Sequence, residues 1–147
     1  MSRTFVAPAI ALCLALTACA GSTSSTTGTP PSLPGTEWRL QDLGGTKAIA
    51  SPEASLAFLD SSRASGSGTC NRFTATYELT GSAIKFGPIA TTRRACAPDV
   101  TGQEEKYLAA LQNAERIASA GPDLLVYSKG SDKPLRFTRG ASAKPAQ

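Results

Sequence analysis

Phe73-Thr74-Ala75-Thr76-Tyr77, a turn at Thr80-Gly81, and Ala83-Ile84-Lys85-Phe86 form the stretch whose reading decides the fold. Apolar and polar residues alternate in both runs, and a period of two is the signature of a strand with one buried face. Glycine at the junction suits a tight turn, so the two runs predict a β-hairpin. Ile89 to Thr92 predicts an extension of its second strand beyond Pro88.

The same pattern recurs outward from this hairpin. On the N-terminal side, Thr36-Glu37-Trp38-Arg39-Leu40 alternates around the only tryptophan, Gly44-Gly45 turns the chain, and Ala54 to Leu59 places Leu56 and Phe58 two apart. Ser61 to Gly68 predicts a turn and then a glycine-kinked strand. On the C-terminal side one helix is expected, capped by Asp99 or Thr101 and ending near Asn113 or Ala114. Glu104 and Glu105 fall in its first turn on this reading, and Tyr107, Leu108 and Leu111 line one face. Arg116 to Ser119, Leu124 to Tyr127 and Leu135 to Thr138 are short strands separated by Gly121-Pro122-Asp123 and Gly130-Ser131-Asp132. Many short strands and one helix predict a mainly β, α+β fold: a small antiparallel barrel-like sheet with one α-helix packed on it. Trp38, Phe58, Phe73, Tyr77, Phe86 and Phe137 are its expected core.

The N-terminus reads differently. Arg3 precedes an uncharged stretch from Phe5 to Ala15, and Leu16-Thr17-Ala18-Cys19 closes it. A positive start, a short apolar run and small residues at a cut describe a secretory signal peptide. The apolar run is about half of what a membrane-spanning helix needs. A cysteine behind Leu-Thr-Ala looks like a bacterial lipobox, so residues 1–18 are expected to leave as the signal peptide, taking Cys13 with them. Cys19 is the expected lipidation site, and membrane lipid its first partner through the acylated cysteine. Ala20 follows it, rather than the aspartate associated with inner-membrane retention. The expected location is therefore the cell envelope, on the outer membrane facing the periplasm if the host is Gram-negative.

Cleavage there leaves 129 of the 147 residues and lowers the net charge from +4 to +3, the size of a single domain. Residues 19–35 comprise the lipidated cysteine and a Ser/Thr/Gly/Pro-rich linker without charge or aromatic residues. Such a linker has a root-mean-square span of about 20–25 Å. The folded body is expected over 36–139 and a small-residue tail over 140–147. Cys70 and Cys96 remain, and an even remainder in an exported chain reads as one disulfide. The sequence contains no histidine, which removes the usual general base and the commonest metal ligand, so no metal and no cofactor are expected. No serine sits in a Gly-x-Ser-x-Gly context, and adjacent Glu104 and Glu105 point about 100° apart on a helix. No catalytic residues are assigned, and the protein is not expected to be an enzyme. No nucleic-acid partner is expected either, since the mild positive charge is not clustered as such binding requires.

These elements together resemble the META domain. Gly35-Thr36-Glu37-Trp38-Arg39-Leu40 is similar to its opening GTxWxL, and Leu56-Ala57-Phe58 to its second strand. Gly68-Thr69-Cys70-Asn71-Arg72-Phe73 with Tyr77 is similar to its GCNxxxGxY centre. Thr91 to Cys96 is similar to its TxMAC element, Glu104 to Leu111 to its helix, and Leu124 with Leu135-Arg136-Phe137 to its closing strands. Thr69 is inserted before the cysteine, Ala75 replaces a usual glycine, and Arg94 replaces a usual methionine. The resemblance spans about residues 35–139 and includes the heat-shock-associated HslJ type of bacterial envelope lipoprotein. It implies a barrel-like sheet with a helix, and a lipid-anchored, non-enzymatic module supporting envelope integrity or stress tolerance by contacting an envelope protein or glycolipid.

Asn71 and Arg72 are read either as a binding pair or as a local Asx-type turn with a solvated arginine, the turn being the favoured expectation. Arg72, Arg93 and Arg94 flank the two cysteines, and a disulfide between these would gather them into a candidate anion- or partner-binding patch. The competing expectation is that they are simply solvated. A small lipoprotein inhibitor of a lytic enzyme such as lysozyme is an alternative function, opposed by the shared basic charge of the two proteins. An envelope hydrolase is weaker still, for want of a nucleophile and base.

Overall fold

Alternation in the central stretch becomes the longest strand of the computed structural model, which describes residues 32–140. In this strand, Arg72–Thr80, Phe73, Ala75 and Tyr77 are buried while Arg72, Thr74, Thr76 and Glu78 face solvent. The expected signal peptide over 1–18, Cys19, most of the expected linker, and the tail beyond Gly140 lie outside the described residues. In chain order the elements are β1 (Thr36–Leu43), β2 (Ser55–Phe58), β3 (Arg63–Ser67), β4 (Arg72–Thr80), β5 (Ala83–Phe86), β6 (Ala90–Thr91), α1 (Pro98–Gln112), β7 (Ala114–Ala120), β8 (Asp123–Ser128) and β9 (Leu135–Arg139).

All strand pairings are antiparallel. The order β3-β2-β1-β9-β8-β7-β5-β4 returns to its start because β4 also pairs with β3, so eight strands close into a barrel. Closure leaves no long unpaired edge in the wall. One edge of β4 takes β3, and its other edge takes β5 at Tyr77–Thr80 and β6 at Phe73–Thr74. β5 and β6 are thus one line of pairing, interrupted at Gly87-Pro88 where proline has no N–H to give. The extension expected beyond Pro88 forms as this separate two-residue strand.

The wall is thinnest between β5 and β7, which share a single residue pair, Ala83 with Arg116. The end of α1 supplies what this seam lacks. Gln112 Nε2 donates to the carbonyls of Phe86 and Gly87 at 3.2 and 3.3 Å, and Ser128 Oγ donates to the Ala110 carbonyl at 2.7 Å. Tyr107 and Leu111 project from α1 into the barrel and are fully buried. The Tyr107 ring packs on Phe73 and Phe137 at centroid distances of 6.0 and 6.1 Å, and its hydroxyl donates to the Ser55 carbonyl. Burial pushes the Tyr107 pKa well above the ordinary phenol value. Among the described residues no helix is long and apolar enough to cross a membrane.

Antiparallel alternation sorts the connections between two mouths. At one mouth lie α1, the β1–β2 and β3–β4 connections, and the segment from Pro88 to Ala97. At the other, Gly35 leads into β1 and Arg139 leaves β9. Leu33 is fully buried there, its carbonyl accepting from Thr36 Oγ1, which in turn accepts from Trp38 Nε1. The packed body therefore begins at Leu33, three residues before the boundary expected from composition. Proline and serine neighbours disguised one well-buried leucine as linker.

The helix also starts earlier than expected. Pro98 occupies its first turn behind Ala97, with no side-chain cap, so neither Asp99 nor Thr101 is the N-cap. Proline's fixed φ and missing N–H make it suitable at that point. Glu104 and Glu105 consequently sit in the second turn, beyond the reach of the dipole argument.

At the β2–β3 turn, Asp60 accepts from the amides of Ser62 and Arg63 at 2.9 and 2.8 Å and from Arg63 Nε at 2.6 Å. The Ser62 amide first, then the Arg63 guanidinium, holds its pKa down from 3.8 to about 2. Tyr77 donates to the Asp60 carbonyl and is shifted upward, chiefly by burial and then by the Asp60 charge. A carboxylate with a depressed native pKa stabilises the fold above its unfolded value, and loses that contribution as pH falls through the native one. Asp60→Asn is therefore expected to be less stable than the parent at neutral pH, with the gap closing as pH falls from about 4 toward 2. Urea unfolding across that range checks it, and a gap that stays constant would contradict the assignment.

Candidate functional site

The connection from β3 into β4 passes beneath the disulfide and is held by α1. Cys70 and Cys96 are bonded, with Cα atoms 6.0 Å apart, as expected. Cys70 is buried and Cys96 exposed. Glu104 projects from α1 under this connection and is buried. Its Oε2 accepts from the amides of Cys70 and Asn71 at 3.0 and 2.5 Å, and its Oε1 accepts from Asn71 Nδ2 at 2.8 Å. Three donors and no cation meet a buried acid, an arrangement that offsets the cost of taking it from water with charge-assisted hydrogen bonds.

Backbone approach to this acid is close. A Cβ at Gly68 would stand 2.7 Å from Glu104 Oε2, so the glycine of the motif is required sterically. The following residue, Thr69, has φ 111°, a conformation that β-branched residues rarely adopt. Such a backbone costs about 1–3 kcal/mol and persists where its surroundings hold it. Here Thr69 Oγ1 accepts from Gln103 Nε2 at 2.8 Å, while Gln103 Oε1 accepts from the Ile49 amide at 2.7 Å. Neighbouring helix residues thus pin two connections, β1–β2 and β3–β4.

Asn71 is no local Asx turn. Its Nδ2 goes to Glu104, and its Oδ1 accepts from Thr92 Oγ1 at 3.0 Å and from the Arg94 amide at 2.7 Å. Thr92 Oγ1 accepts from the Arg72 amide, and the Thr92 amide donates to the Arg72 carbonyl. One asparagine therefore joins the start of β4, the helix and the segment leading to Cys96. Among the described residues no buried side-chain nitrogen or oxygen lacks a partner.

The segments carrying Arg72, Arg93 and Arg94 meet as expected. What meets is backbone: the amides of Arg72 and Arg94 are fixed, while all three residues are exposed. Neither ion pair among the described residues includes them; those pairs join Arg39 to Glu53 and Arg63 to Asp60. Beside them is a shallow depression of about 260 Å³ lined by Arg72, Phe73 and Thr74 with Ala90, Thr91 and Thr92. A positively charged, rigidly backed surface of this kind suits a carboxylate or phosphate.

Sequence reasoning missed Thr69, Thr92, Gln103 and the role of Glu104. The available signal was spacing: Glu104 lies three and seven residues before Tyr107 and Leu111, on the same helical face as the core. Glu104 turns inward while Glu105 is exposed, so the adjacent acids do not face a common substrate position. Among the described residues no three His, Cys, Asp or Glu side chains come together as a metal-ligand set.

Comparison with known proteins adds the following. A family model described as META domain matches residues 31–142. A protein from Burkholderia xenovorans, solved by NMR, is 26% identical with a TM-score of 0.59, over 74% of this chain and 84% of that one. A second NMR structure is 20% identical with a TM-score of 0.60, over 72% of this chain and 90% of that one, which shows the fold alone. No match was found among curated proteins.

Proposed function

The chain belongs to the META domain family, and from that premise we propose that it is a lipid-anchored, non-enzymatic module of the cell envelope. Its role on this reading is to support envelope integrity or stress tolerance by contacting another envelope component, a protein or a glycolipid. Acylated Cys19 holds it in the membrane, on the outer membrane facing the periplasm in a Gram-negative host. The lipobox-like Leu16-Thr17-Ala18-Cys19 supports the anchor.

The observation that carries the contact is the placement of the basic segment. Arg72, Arg93 and Arg94 are exposed at the helix mouth, backed by the Asn71–Glu104 network and the disulfide. The chain enters β1 at the opposite mouth. A tether from Cys19 thus joins the barrel at the mouth away from these arginines and leaves them uncovered. The buried acid serves as a fastening for that surface.

Crosslinking capture of the full lipoprotein in its own cells, read by mass spectrometry, tests this. One reproducible protein or glycolipid is expected, and the pair Arg93→Glu and Arg94→Glu is expected to lose it. A partner retained by the reversed-charge protein, or none recovered at rest and under heat stress, would overturn the reading.

A further inference from the structure

A second basic concavity lies across the barrel from the arginines. β4, which carries Arg72, is separated from β1 by β3 and β2 in one direction around the wall, and from β9 by β5, β7 and β8 in the other. Between β1 and β9 the register jumps: Leu40 faces Phe137, but Asp42 faces Arg136, leaving Gln41 as an extra residue on β1. This is a β-bulge, a device that re-aims side chains at barrel rims.

Just beyond it the chain reverses. Gly44 and Gly45 have φ of 64° and 97°, and the Leu43 amide donates to the Thr46 carbonyl at 2.7 Å. Two successive positive φ angles are what a tight hairpin of this hand demands, and glycine meets that demand without strain. The turn brings Lys47 back opposite Asp42 in an antiparallel bridge. Arg136, Asp42 and Lys47 consequently occupy a row across three neighbouring segments. Lys133, from the β8–β9 connection, lies over Gly45, where a Cβ would stand 2.8 Å from its Cδ and 3.2 Å from its Nζ. The turn glycine thus also leaves room for a lysine.

Lys47, Lys133 and Arg136 line one concavity of about 600 Å³ with Gln41 and Asp42. Neither ion pair among the described residues involves any of the three cations. Asp42 Oδ1 accepts from the Gly45 amide at 2.5 Å and so is engaged in holding the turn. One acid against three cations leaves a net charge of +2 around the concavity. A phosphate monoester carries about −1.5 to −2 at neutral pH and offers three acceptor oxygens. An arginine fork, two ammonium groups and a glutamine amide are donors of the matching kind.

We propose that the concavity between the β1 bulge, the Gly44-Gly45 turn and Lys133 binds a phosphate dianion through Lys47, Lys133 and Arg136. It shares no residue with the arginine surface beside the disulfide, so it stands or falls separately. The phosphate belongs either to a small soluble molecule or to a lipid headgroup.

The test uses the full-length protein in nonionic detergent for NMR, and on vesicles for sedimentation. Inorganic phosphate is titrated against sodium chloride of equal ionic strength. Phosphatidylcholine vesicles containing phosphatidic acid are compared with phosphatidylcholine alone. Saturable shifts of the Gly45, Lys47 and Lys133 amides with phosphate would establish a soluble source. Sedimentation only with phosphatidic acid, without saturable phosphate binding, would establish a headgroup. In either case Lys133→Ala with Arg136→Ala is expected to weaken binding at least about tenfold, about 1.4 kcal/mol or more. Arg93→Glu with Arg94→Glu is expected to leave it unchanged. Non-saturating shifts spread over all basic residues with no selective sedimentation, or affinity unaltered by the Lys133 and Arg136 substitutions, would overturn the proposal.

Discussion

Replacing Glu104 with alanine is expected to destabilise the barrel by about 3–5 kcal/mol, because three buried donors lose their shared acceptor. Its carboxylate is the acceptor for the Cys70 amide, the Asn71 amide and Asn71 Nδ2. All three donors are left in a buried place, each with a desolvation cost of about 1–3 kcal/mol less whatever entering water recovers. Glu104→Gln keeps the shape but turns an NH2 group toward donors, so an intermediate loss is expected. Glu105→Ala, one position along and exposed, is the control and should change stability by no more than about 0.5 kcal/mol. Urea unfolding measures the three, and hydrogen exchange at the Cys70 and Asn71 amides locates the effect. A loss below about 1 kcal/mol for the alanine variant would mean that the network contributes little beyond what water supplies.

Removing the disulfide comes next in size. Cys70 and Cys96 are 26 residues apart, and closing a loop of that length restricts the unfolded chain by about 3–4 kcal/mol on the loop-entropy account. For a domain whose whole stability is about 5–15 kcal/mol, this is a large share. Cys70→Ser with Cys96→Ser is expected to lower the urea midpoint accordingly, and reduction of the parent protein should match it. Thr92 and Arg94 remain bonded to Asn71 without the bridge, so the basic segment is expected to loosen mainly beyond Arg94. Combining the serine pair with Glu104→Ala should give a total unequal to the two separate losses, because both act on the Gly68–Asn71 connection. Strict additivity would show that the bridge and the acid act independently.

The sequence was most informative where the information is local. Period two in Phe73–Tyr77 and the glycine turns depend on near neighbours and appear in the structure as read, while the bond between the two body cysteines was legible from their number alone. The start of α1 lies ahead of Asp99 and Thr101 because no side-chain cap marks it. Pro98 behind Ala97 starts the helix instead, and that displacement put Glu104 in the wrong turn. The site was harder because its partners are far apart: Asn71 reaches Thr92, Arg94 and Glu104 across 21 to 33 positions. Nothing in the local pattern distinguishes such an asparagine from one that bonds its own turn. The resemblance to the META domain marked Asn71 as part of a motif without giving its partners. Barrel closure is similarly remote, since β1 meets β9 across nearly the whole body.

That last pairing gives the fold no privileged starting point. Gly35 and Gly140 flank neighbouring strands at one mouth, and the Gly140 amide already donates to the Glu37 carbonyl at 2.8 Å. A short peptide leading from Gly140 back to Leu33 would close a ring that keeps this buried residue and unpairs no strand. The ring could then be reopened at an exposed reversal such as Gly121-Pro122, where little packing is interrupted. By the same geometry the barrel can be spliced into a surface loop of a host protein, whose two cut ends need be separated only by the width of adjacent strands, about 5 Å. The β1–β9 seam is in this sense a ready-made socket for circular permutation and domain insertion.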